Sequence, residues 1–90
     1  MNESRLKTLY EELRVLQMPK WRHKEIRIFC QCASAKANEI RKRALAMGGK
    51  IDYDPHAVQS RTVLALMGTT PEIEIRKRYI ELTGSTDPNS

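Results

Sequence analysis

A chain of 90 residues allows one domain, with a core just large enough to stand alone and helped by oligomerisation. Its net charge of +5 is modest, so where the charge lies matters more than its size. No apolar run is long enough to cross a bilayer and the polar start MNESRLK lacks the core of a signal peptide, so the expectation is a cytosolic protein with no membrane partner.

Residues 3–17 read as an amphipathic helix, since Leu6, Leu9, Leu13 and Leu16 recur at helical spacing and Tyr10 widens the stripe. Lys7 and Glu11 on its charged face are spaced for an i,i+4 pair. Pro19 ends this helix. Trp21, in the basic linker Lys20-Trp21-Arg22-His23, is read as a core anchor in preference to a surface for base stacking.

Residues 22–31 form a second predicted helix burying Ile26, Phe29 and Cys30, with Ile28 toward another element. Residues 35–47 form a third, with Ile40, Ala44 and Met47 on its buried side. Between them Gln31-Cys32-Ala33-Ser34 makes a corner, Ser34 being the expected cap. Gly48-Gly49 stops the third helix, one glycine taking the left-handed position. The small side chains of Ala35, Ala37, Ala44 and Ala46 raise helix propensity and permit close approach.

Further along, residues 50–53 alternate and read as an extended piece, one arm of a small hairpin closing near Ala57-Val58. Ser60 is the expected cap of a short helix over 61–67 that buries Val63, Leu64 and Met67. Thr70-Pro71 starts a last helix over 71–83, with Glu72–Arg76 and Glu74–Arg78 as i,i+4 pairs. Ile73, Ile75, Tyr79, Ile80 and Leu82 cover more than one face there, so this helix, alone or with the first, is the expected subunit contact of a homodimer. The fold class is therefore mainly α, a helix-turn-helix flanked by N- and C-terminal amphipathic helices, with or without a wing made by a short hairpin. A single domain spans 1–84, the motif lies at about 22–47, and 85–90 form a disordered tail.

Charge singles out the motif. Residues 20–48 hold eight basic and two acidic residues, whereas 1–19 are neutral and 49–90 carry five basic and six acidic residues. Such a basic stretch is either a solvated face or an electrostatic footprint for nucleic acid, and the second reading is preferred. If residues 35–47 enter a major groove, Ser34, Lys36, Asn38 and Lys42 are best placed to reach bases. Asn pairs both ways with adenine and Lys donates to guanine. Arg41 and Arg43 would hold phosphates, and Glu39 would orient a neighbouring Arg.

The run Cys32-Ala33-Ser34-Ala35-Lys36-Ala37-Asn38-Glu39-Ile40 resembles the "Ser-x-Ser-Lys-Ala-x-x-Ile" opening of the recognition helix in small phage and integrative-element DNA-binding proteins, including excisionases and excisionase-like regulators. The similarity continues through Gly48-Gly49-Lys50-Ile51 and His56-Ala57-Val58 to Ser60, Val63-Leu64 and Met67-Gly68, about half the chain. The resemblance implies duplex DNA as partner and a preceding helix laid across the backbone, where Lys24 or Arg27 would neutralise phosphate charge. It also implies a wing-like connection near Lys50, although Asp52 and Asp54 would be repelled by phosphates. Two positions depart from the family. Arg27 stands where a small residue is usual, and Gln31 stands where the turn has Gly, so Gln31 must adopt a left-handed backbone at some cost.

Other classes fit less well. His23, Cys30, Cys32 and His56 lack the spacing of a structural zinc site, so no metal or cofactor is expected. No phosphate-binding loop, carboxylate pair or nucleophile arrangement suggests an enzyme, and the interleaved aromatics of single-strand RNA binding are missing. The rival is a helical protein-interaction module, an adaptor or anti-activator that does not touch DNA.

Overall fold

The computed structural model describes residues 3–84, so the tail expected at 85–90 lies outside the described residues. It is mainly helical. In chain order it runs α1 (Glu3–Leu16), β1 (Lys20–Trp21), α2 (His23–Cys30), α3 (Ser34–Ala46), β2 (Val58–Gln59), α4 (Ser60–Leu66) and α5 (Pro71–Thr83).

α1 buries Leu9, Leu13 and Leu16 as expected, and turns Glu12 and Val15 inward beside them, while Leu6 and Tyr10 remain exposed. A buried glutamate requires partners. Glu12 has two, Arg78 of α5 at 3.0 Å and the side-chain amide of Gln31 at 3.1 Å. The Arg78 guanidinium also lies 4.9 Å over the Phe29 ring, so one cation ties α1, α2 and α5 together.

Trp21 is the core anchor expected of a large aromatic in a small domain. It is fully buried, its indole Nε1 donates to the Val15 carbonyl at 2.7 Å, and its ring meets Phe29 with centroids 5.1 Å apart. Around it lie Val15, Leu16, Ile26, Ala37, Ala44, Val58, Val63 and Leu64, with Ile28 and Ile40 packed at the edge. The two alanines of α3 present almost no side chain to that core, which lets the backbone of the helix approach its neighbours closely.

β1 and β2 pair antiparallel, Lys20 opposite Gln59 and Trp21 opposite Val58, and Lys50 bridges to the other edge of Val58. The extended piece expected over 50–53 is thus reduced to Lys50. Residues 51–57 double back through two turns closed by Asp54 N to Ile51 O and Ala57 N to Asp54 O. Asp54 explains the difference. Its carboxylate is buried and accepts from Lys20 Nζ at 3.0 Å, from Arg22 Nε at 3.0 Å and Nη2 at 2.8 Å, and from its own loop at His56 N. These bonds hold the loop down against β1, where an extended arm would have projected.

Both expected serine caps are corrected. α3 begins after Ala33, which has no side-chain cap, and Ser34 is already inside the first turn. α4 begins after Gln59, and the buried Ser60 hydroxyl donates instead to the Met18 carbonyl at 2.8 Å, fastening α4 to the end of α1. Thr70 does cap α5, accepting from Ile73 N at 3.2 Å with Pro71 at the first helical position. Gly48 takes the left-handed conformation after α3 at φ 87°. Met47 and Met67, expected inside, are exposed.

Candidate nucleic-acid interface

α2 closes with Gln31 in the left-handed region, φ 51° and ψ 49°, and α3 starts three residues later from an extended Ala33. Gln31 is the one non-glycine residue with positive φ among those described. Its amide reaches Glu12, a tertiary bond that helps offset the left-handed cost. The corner is therefore real, and α2 and α3 are separate rods packed on each other.

Seven of the eight candidate residues are exposed: Lys24 and Arg27 on α2, and Ser34, Lys36, Asn38, Lys42 and Arg43 on α3. Arg41 is half-buried. At ~100° per residue, Ala37, Ile40 and Ala44 face inward with Arg41 beside them. The open side of α3 then divides into two flanks. Asn38 and Lys42 lie on one, Lys36 and Arg43 on the other, and Glu39 stands between them, 3.6 Å from Lys36.

Pairing distinguishes these cations from the rest of the basic run. Lys20 and Arg22 are both held by Asp54, so two of the eight positive charges of residues 20–48 neutralise a buried carboxylate. The two bonds, Arg22 first, hold the Asp54 carboxyl down at about 2. Lys24, Arg27, Arg41, Lys42 and Arg43 have no acidic partner among the described residues.

Asp54 was readable only in part from sequence. Asp-Pro-His is a short acid-led turn of the kind in which the carboxylate caps its own loop. Nothing local announces that Lys20 and Arg22, more than thirty residues earlier, arrive to pair with it.

Among the described residues no three His, Cys, Asp or Glu side chains come together as a metal site, and no helix is long and apolar enough to cross a membrane. Comparison of the chain with family models, with characterised proteins and with solved structures finds no match.

Proposed function

We propose that the chain is a cytoplasmic, sequence-specific duplex-DNA-binding protein that uses α3 as its recognition helix. It would act as a small transcriptional regulator or excisionase-like directionality protein of a phage or mobile element. The observation that supports this most is the unpaired set Lys24, Arg27, Lys42 and Arg43, exposed on two helices that meet at a tight corner, with the exposed Asn38 amide on the same outer side as Lys42. Lys24, Arg27 and Arg43 would neutralise backbone phosphates, while Asn38 reaches a base edge and Lys42 beside it holds a fourth phosphate. The single bridge at Lys50 and the inward Asp54 leave only a stub in place of a wing.

The protein would act as a homodimer. On α1 the exposed Leu6 and Tyr10 lie in a stripe flanked by Glu3, Lys7, Glu11 and Arg14. A second copy laid antiparallel sets Glu3 opposite Arg14 of its partner, so the pattern is complementary to itself. Ile73 and Tyr79 of α5, each about half exposed, offer the second contact. The same apolar positions are what a helical adaptor would use, and that reading predicts no affinity for DNA.

The test is duplex binding across a salt series. Neutralising four phosphates gives a slope of log K against log salt of about −3.6. Selection from a random duplex library should then yield two half-sites spaced by ~10 bp. A flat salt response with no selected sequence would leave the adaptor reading in its place.

A further inference from the structure

The two cysteines have no part in the interface just described. Cys30 ends α2, Cys32 follows the left-handed Gln31, and the two residues, one position apart in the turn, line the same cavity. Both are half-buried and neither is in a disulfide. They line a cavity of about 290 Å³ whose wall also includes Met67, Ile40 and the cations Lys36 and Arg43. Three sulfurs therefore border one small space, and Met67, expected in the core, is instead 44% exposed beside it.

Thiolate and thioether donors are soft and select monovalent d¹⁰ cations. Structural zinc asks for four ligands drawn from Cys and His, which this place does not supply. The geometry points to a binding site for a soft monovalent metal ion, Cu(I) or Ag(I), held by the thiolates of Cys30 and Cys32 with the Met67 thioether as third donor. On binding, each thiol releases one proton to solvent and no electron is transferred. Two thiolates and one monovalent cation leave a net charge of −1, which the Lys36 and Arg43 side chains of the same wall offset. In the metal-free protein the Cys30 thiol is half-buried and in no disulfide. The metal ion itself would deprotonate it, as a coordinated thiol gives up its proton outright.

The experiment titrates the reduced full chain anaerobically into Cu(I) held by a chromophoric chelator. One equivalent should be withdrawn per chain, and copper-edge X-ray absorption should show sulfur alone around the ion. Cys32→Ser should abolish withdrawal, and Met67→Leu should weaken it by roughly 10-fold. Met47→Leu, exposed at the end of α3 and not part of the cavity wall, should leave it unchanged. Circular dichroism checks that each variant is folded, and Cys30→Ser replaces Cys32→Ser if the turn variant is not. The assignment is overturned if no copper is withdrawn, if Cys32→Ser or Cys30→Ser retains it, or if Met67→Leu binds like the parent chain. A nitrogen in the copper shell also overturns it, since that would move the ion to the adjoining cavity shared by Cys32 and His23.

Discussion

Two faces of this small domain carry many charges and treat them in opposite ways. Between α1 and α5, Arg5 meets Glu81 at 2.6 Å and Arg78 meets Glu12 at 3.0 Å, and within α5 Arg78 and Lys77 meet Glu74 at 3.0 and 3.3 Å. Across α2 and α3 the one side-chain ion pair among the described residues is the loose Lys36–Glu39 contact, and Glu25 accepts instead from the backbone amide of Arg22. The contrast separates charge used to hold helices together from charge left available to a partner. A net count over the sequence cannot make that separation.

The largest effect should come from breaking the paired face. The Arg78 and Glu12 side chains are only 13% and 4% exposed, and removing one member of a buried pair strands the other, at a cost of about 3–5 kcal/mol. Arg78→Ala should therefore lower the urea midpoint sharply, and a midpoint within error of the parent would mean that Gln31 and water satisfy Glu12 unaided. Because Arg78 is not among the residues proposed to touch the duplex, duplex affinity of the folded fraction should be unaltered.

Acid should attack the loop next. The Asp54 carboxyl is depressed from its ordinary value of 3.8 to about 2 by its bonds to Arg22 and Lys20. A depressed carboxyl contributes stability that is complete above its unfolded value and is lost as pH falls toward its folded one. The part of the stability contributed by Asp54 should thus be constant above about pH 5 and decline between about pH 4 and 2. Asp54→Asn should be less stable at neutral pH and should lack this decline, and parallel pH curves for the two proteins would break the assignment.

Asn38→Ala should change which sequence is bound more than how tightly DNA is held in general. Losing a two-bond contact to adenine costs about 1–3 kcal/mol of discrimination at one base position. Equal losses on selected and scrambled duplexes would remove Asn38 from that role.

How much of this could be read beforehand depends on the range of the interaction. The bounds of α5 follow from Thr70-Pro71 because they are decided by immediate neighbours, whereas the left-handed Gln31 is implied by the resemblance of its turn to one that carries Gly. The serine caps were misplaced because a hydroxyl that competes locally for an amide can instead be taken by a distant carbonyl. Ser60 does so at Met18. Leu6 and Tyr10 fit the apolar period of α1, yet periodicity does not say where the covering helix ends. Of the eight candidate residues, the six basic ones were legible as a cluster, with Ser34 and Asn38 set among them. Their division into two flanks around Glu39, and the neutralisation of Lys20 and Arg22 by Asp54, required the tertiary arrangement.

The smallest effect is the one that compares the two faces directly. Lys42 and Lys77 are both exposed lysines on thirteen-residue helices, but Lys42 has no acidic partner among the described residues and Lys77 sits 3.3 Å from Glu74. A lysine that touches one phosphate changes the salt slope by about 0.9, equivalent to roughly fivefold in affinity at 0.15 M salt. Lys42→Ala should show that change on specific and scrambled duplexes alike, while Lys77→Ala should show none, because its charge is already matched by Glu74 of its own helix. Neither substitution should move the unfolding midpoint by much, since exposed ion pairs contribute at most about 1 kcal/mol. If the two variants lose equal affinity, the cations of this protein attract DNA by their number alone, and the difference in pairing between the two faces does not decide where DNA binds.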